Sequence, residues 1–209
     1  MTCSRVVTPA TRMPFISRSW AVKNPRSTLP FACGLCVSIT THSGIRFWPL
    51  LPNPGDILIE DVAHSLAHQC RFAGHTRVFY SVAEHSVRVS QLCAPEDALW
   101  GLLHDASEAY LSDIPAPLKE LLELDPNRAA ERALQRTIAA RFGLSPAQPV
   151  SVGEADRKML HVEVRDLLEP LGTARLRKAP NSLAIQNPWQ PRVAKTRFLS
   201  RFRELCRKM

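Results

Sequence analysis

From Ile59 onward, apolar side chains recur every three to four positions, the period of a helix with one buried face. Val62, Leu66 and Cys70 share one side, which predicts a first helix of about four turns. Ser81 stands where an N-cap is expected and Glu84 follows three residues later, so a second helix is predicted from Ser81 to Cys93. Pro95 suits a first helical turn, and Glu96 and Asp97 suit the positive end of a helix dipole, so a third helix is predicted from there to Tyr110. Ser112-Asp-Ile-Pro-Ala-Pro reads as a turn. Arg128 to Phe142 reads as a helix ended by Gly143. Val152 to Leu168 is another, with Ala155, Met159, Val162 and Leu167 on its apolar face. Residues 170–190 read as a loop, and Arg192 to Cys206 as a last amphipathic helix. Upstream, residues 41–58 are rich in Pro and Gly and predict an irregular lead-in with one short hairpin at Ile45–Trp48. No internal repeat is visible. The expected fold class is all-α: a helical bundle with an irregular N-terminal lead-in.

Composition changes this picture at one end of the chain. The 209 residues carry a formal charge of +8, which by itself invites a nucleic-acid reading. The charge is unevenly placed. Residues 1–40 hold Arg5, Arg12, Arg18, Lys23 and Arg26, no acid, and ten Ser or Thr. Removing those five from 27 leaves 22 basic against 19 acidic residues, or +3 for residues 41–209. The main body therefore suits a small anionic substrate, and nucleic acid is not the expected partner. Residues 1–40 resemble a transit peptide in composition, but Pro9, Pro14, Pro25 and Pro30 break any amphipathic helix there. The expectation is a disordered tail or a non-native leader, with the domain itself spanning 41–209. The six cysteines are scattered, and Cys33 and Cys36 form a lone C-x-x-C without a partner pair. A reducing compartment and a cytoplasmic location are expected. No run approaches the roughly 20 apolar residues of a membrane span.

The chemistry-bearing residues are few. His85 falls near the middle of the second predicted helix, His104-Asp105 on the third, and Asp156 on a later one. Packed together, three helices can bring these side chains to a common point. Two imidazoles and two carboxylates suit Mn, Co, Ni, Zn or Fe rather than Ca. Four protein ligands leave positions for water and substrate on an octahedral ion, as a catalytic site requires. Elsewhere, His64 and His68 form an i, i+4 pair without a Glu-x-x-His context, so packing or a surface face is expected of them. His75 and Arg77 lie in a loop expected to face the site. Arg192, Lys195, Arg197, Arg201 and Arg203 give the last helix a basic face, expected to be solvated.

Four segments carry a resemblance: Tyr80-Ser-Val-Ala-Glu-His85-Ser, His104-Asp-Ala-Ser-Glu108, Asp113-Ile-Pro-Ala-Pro-Leu-Lys119 and Glu154-Ala-Asp156. In this order they resemble the HD-domain metal-dependent phosphohydrolases, above all the bacterial 5′-deoxyribonucleotidases. Small bacterial and phage HD-family hydrolases are similar over Thr41 to Cys206, about four fifths of the chain. The resemblance implies His85, His104, Asp105 and Asp156 as ligands of a divalent transition metal. It implies Glu108 as the acid that orients water, and Asp113 as the group that activates water or protonates the leaving group. Arg71 and Phe72 stand near the family's Arg-Trp pair, which implies a phosphate contact and a stacking surface. Leu111 departs from the family's Thr at its position. The implied substrate is a nucleotide, a (deoxy)ribonucleoside monophosphate first and a triphosphate as the alternative. A silent metal-binding regulatory module is the reading from another class, and a homodimer is common among the relatives.

Overall fold

The helical period of the sequence becomes a bundle with one helix at its middle. The computed structural model describes residues 37–115, 126–168 and 182–207, with the backbone alone at 126 and 127. The chain divides into units Met1–Cys33 and Gly34–Met209, and the first lies outside the described residues. So do most of the predicted tail, the C-x-x-C, and much of the predicted loop at 170–190.

Seven helices are described: α1 Ile59–His68, α2 Val82–Leu92, α3 Ala98–Leu103, α4 Glu108–Leu111, α5 Pro126–Arg141, α6 Val150–Leu167 and α7 Pro191–Cys206. The fold is all-α apart from a two-stranded antiparallel hairpin, β1 Ile39–Thr40 with β2 Arg46–Phe47. The hairpin expected at Ile45–Trp48 thus exists with an earlier first strand. None of the described helices is long and apolar enough to cross a membrane.

α2 packs against α1, α3, α6 and α7, and every residue of its first two turns, Val82 to Val87, is buried. A helix buried on several sides must satisfy its polar side chains internally. Ser81 caps α2 by accepting the Glu84 N–H at 3.1 Å. The expected return bond from Glu84 to Ser81 is replaced. The buried Glu84 carboxylate takes Arg88 at 2.7 Å and the Trp189 N–H at 2.6 Å, which ties the segment before α7 to α2.

Three boundaries differ from expectation. α1 stops at His68, because the next residues pair as extended chain: Arg71 N–H donates to Tyr80 O at 2.9 Å, and Val82 N–H to Gln69 O at 3.1 Å. The third predicted helix is split at residues 104–107. There the backbone bonds run i to i+3, from Ala106 to Leu103 and from Glu108 to Asp105. Such tightening inside a helix is frequent at functional sites. α5 ends as expected at Gly143 (φ 70°), with Leu144 N–H on Ala139 O and Gly143 N–H on Ala140 O. Those two bonds form a Schellman motif.

The α2–α3 contact depends on Gly101. A Cβ there would lie 2.6 Å from Cys93 Sγ and 3.1 Å from Ser90 Cα. We expect Gly101→Ala to lose about 1–3 kcal/mol by overpacking. Thermal unfolding reads this directly, and an unchanged Tm would mean that the two helices separate freely.

Candidate metal centre

α2 delivers His85 and the tightened turn after α3 delivers His104 and Asp105. Their ligand atoms lie within 4.8 Å of one another, a grouping able to hold a metal ion. His85 Nε2 is 3.3 Å from His104 Nε2 and 3.6 Å from Asp105 Oδ2, and His104 Nε2 is 3.2 Å from that same oxygen. Asp156 arrives from α6, with Oδ1 3.2 Å from His85 Nε2. Its side chain is 40% exposed, the most open of the four. Of the four residues expected to share a point, His85, His104 and Asp105 are grouped closely enough to hold an ion, and Asp156 lies beside them against His85.

The outer ring nitrogens fix the tautomers. His104 Nδ1 lies 2.9 Å from the Gly101 carbonyl, which only accepts, so Nδ1 carries a hydrogen. His85 Nδ1 lies 2.5 Å from Glu163 Oε1 and donates to that carboxylate. In the neutral rings both Nε2 lone pairs then face each other at 3.3 Å. Two lone pairs at that distance repel unless a cation lies between them. Carboxylate–histidine and carbonyl–histidine contacts of this kind orient the ligands of metal sites.

Glu163 is the residue that sequence reasoning missed. It is fully buried on α6 and binds both His85 and Arg71, the latter through Nη2 at 3.1 Å. Its only signal in the sequence is its place seven residues after Asp156, on the same helical face. Arg71 also reaches Asp105 Oδ2 at 3.6 Å, and its Nε is buried without a hydrogen-bond partner among the described residues. Phe72 follows at φ 54° and Ala73 at φ 51°, left-handed conformations that cost a non-glycine residue roughly 1–2 kcal/mol each. The Arg71 guanidinium sits 5.5 Å from the centre of the Phe72 ring. Arg71 thus borders the cluster, and Phe72 lies against Arg71.

Glu108 is buried at the start of α4, and Asp113 follows Ser112. One side chain holds both segments: Gln69 donates to the Glu108 carbonyl at 3.0 Å and accepts the Asp113 N–H at 3.1 Å. The charge of Asp113 is felt at Arg71. Arg77 orders its own loop: its N–H donates to the Leu167 carbonyl and its Nη2 to the Asp166 carbonyl, both at 2.8 Å, at the end of α6. His75 is exposed. On the basic face of α7, Arg201 bonds Ser90 and Glu204, and Arg197 stacks on Trp189.

The electrostatics show a site built for positive charge. Burial favours the neutral His104 ring, but Asp105 and then Asp156 outweigh it and push its pKa up to about 9. His85 is also raised: burial and Arg71 oppose its charge, and Glu163 and Asp156 prevail. Burial works to raise Glu163, yet His85 and Arg71 hold it down to about 2. Protons and a metal ion thus compete for the same Nε2 atoms. Because the folded His104 value lies above the ordinary imidazole value of 6.5, its contribution to stability is full below that value and is lost as pH rises through about 9. The metal-stripped protein should therefore lose several degrees of Tm between about pH 6.5 and about pH 9.5. Calorimetry checks this; a flat Tm over that range would mean that His104 gains no partner on folding.

The described residues thus define an all-α protein with a buried His–Asp centre able to hold a metal ion. The chain is 49% identical over 129 residues to the uncharacterized protein YfdR of Escherichia coli, covering 62% of this chain and 71% of YfdR. It belongs to the family of YfdR. It is also 39% identical to the uncharacterized protein RCAP_rcc00048 of Rhodobacter capsulatus, over 54% of this chain and 62% of that protein, less than two thirds of its length. No protein-family model matches the chain.

Proposed function

We propose that the protein is a metal-dependent phosphohydrolase of the HD type, acting on a phosphate ester of a nucleotide. The observation that carries this reading is the pair of imidazoles whose Nε2 atoms face each other at 3.3 Å while both Nδ1 atoms are tied down as donors. The order of the four motif segments supports it. His85, His104, Asp105 and Asp156 would hold a divalent ion of the Mn, Co, Ni, Zn or Fe type. Bound there, the ion supplies Lewis acidity and lowers the pKa of water at neutral pH.

The chain's own residues supply the rest. Arg71 offers its partly exposed guanidinium to a phosphate oxygen, in a setting that keeps it charged. Phe72, half-buried beside it, offers a ring face to a sugar or base. Glu108 and Asp113 position the attacking water and move its proton, with Gln69 fixing their backbone. A monophosphate would yield nucleoside and orthophosphate. A triphosphate held with its α-phosphate at the site would yield nucleoside and tripolyphosphate.

The test strips the metal from the full chain. Deoxyribonucleoside and ribonucleoside mono- and triphosphates are then screened with Mn, Co, Ni, Zn or Mg, and orthophosphate and tripolyphosphate are both measured. Metal-dependent release of either is expected, and the species names the substrate class. Tight metal binding with no release from any nucleotide would replace this reading with a regulatory module.

A further inference from the structure

A groove of about 390 Å³ lies between the hairpin, α1 and α4, lined in part by His42, Asp61, His64, His68, Gln69 and Tyr110. None of its histidines belongs to the metal centre. The His42 and His64 rings stack with centroids 3.5 Å apart and 5° between their planes, and His68 follows His64 at 4.2 Å. Lys195 reaches across from α7, its Nζ 3.3 Å from His64 Nδ1. An ammonium only donates, so His64 accepts at Nδ1 and carries its hydrogen on Nε2. The Lys195 charge thus stands behind His64, and the Nε2–H of His64 is left to serve a ligand. Stacked imidazoles direct their nitrogens within their own planes, so these three rings do not converge on a metal.

The charge balance is one-sided. One ammonium and three imidazoles face a single acid. Asp61 is 2% exposed, and its two oxygens accept the Ser43 N–H and Oγ–H at 2.7 Å each, which fastens the hairpin to α1. Tyr110 is 8% exposed, stacks on Phe47, and has a buried hydroxyl with no hydrogen-bond partner among the described residues. Tyr110 lines the groove, and a buried hydroxyl without a partner points to a ligand or water that completes it.

We propose that this groove is a second ligand site, taking a small oxyanion of the phosphate type through His42 and the Nε2–H of His64, backed by the Lys195 charge behind His64, with the Tyr110 hydroxyl as a further donor. The inference does not rest on the hydrolase reading. Protonation of the stack is opposed by its own geometry: burial, then His68, His42 and Lys195, lowers the pKa of His64, and Asp61 alone raises it. The facing groups are His42 from the hairpin, Asp61, His64 and His68 from α1, Tyr110 from α4 and Lys195 from α7. An anion would offset the repulsion among them, so anion binding and imidazole protonation should be linked. The same anion can arrive free or as the phosphate of an organic ester.

The test uses the full chain with chelator present. Sulfate is the first probe, because its charge is constant across the imidazole range. Calorimetric titration should show one site, about tenfold tighter at about pH 5.5 than at about pH 8. Lys195→Met and His64→Gln should each weaken it about tenfold or more. Tyr110→Phe keeps the stack on Phe47 and should weaken it less, and His104→Ala should leave it unchanged. Inorganic phosphate and a nucleoside 5′-monophosphate, compared at one pH, show by the tighter of the two whether the natural anion is free or esterified. In the unaltered protein, the ring resonances of His42 and His64 should shift on adding sulfate. Absence of sulfate binding, unshifted ring resonances, or undiminished affinity in folded Lys195→Met and His64→Gln variants would each overturn the proposal.

Discussion

Glu163→Gln is expected to weaken metal binding by about 10–100-fold, the usual effect of losing a partner that orients a ligating histidine. Glu163→Ala should add a loss of roughly 3–5 kcal/mol in stability, because it leaves a buried cation without its counter-ion. The two effects have separate origins. Glu163 Oε1 fixes the hydrogen of His85 on Nδ1 and so presents Nε2 to the centre, while Oε2 pairs with Arg71. Arg71 is 13% exposed, and among the described residues its next acid is Asp105 at 3.6 Å. The Gln variant keeps a side chain of similar volume and a carbonyl that can accept from His85, but this neutral acceptor makes His85 Nε2 a weaker ligand, so affinity falls; it also forfeits part of the stability that the carboxylate gives Arg71. The Ala variant loses both. Metal titration and denaturant unfolding of the two variants separate the roles. Metal affinity unaltered in Glu163→Gln would mean that His85 is not held by this contact in the loaded protein.

What could be read from the sequence, and what could not, follows from how far apart the partners lie. His104 and Asp105 are adjacent, and His85 lies on a helix whose cap, Ser81, is local. Short-range signals therefore place them. The helical period likewise places α2, α5, α6 and α7 to within a few residues. Glu163 contacts His85 across 78 positions, and a buried acid on an amphipathic face looks no different from a solvated one until the helices are packed. The split of the third helix was hidden for another reason. Residues 104–107 keep helical backbone angles at both ends, and what changes is the hydrogen-bond register. The Gly101 carbonyl that an i+4 ladder would assign to Asp105 is taken by the ring of His104. The early end of α1 has a similar origin. Cys70 fits the apolar period, yet it is drawn into a bridge with Ser81, 11 residues away. In the first case a side chain took the place of a backbone donor, and in the second a bridge to a residue 11 positions away took the place of the next helical turn.

The largest effect is expected at His104. His104→Ala removes one of two buried nitrogen donors and should abolish stoichiometric metal binding. If the proposed hydrolysis is correct, turnover should fall by a factor on the order of 10³ or more, since transition-state charge would lose its principal stabiliser. Asp156→Asn should be milder. Asp156 meets the cluster through His85 alone among the three closely grouped ligands, and its carboxylate is 40% exposed, so water can take its place. We expect metal still bound in Asp156→Asn, with affinity reduced by about 10–100-fold. Metal content after dialysis and phosphate release under saturating metal distinguish the two variants. Loss of both readouts in His104→Ala, with recovery of turnover at high metal in Asp156→Asn, is the pattern of three inner ligands and one at the rim. Metal-stimulated release that survives His104→Ala would overturn His104 as a ligand that turnover requires.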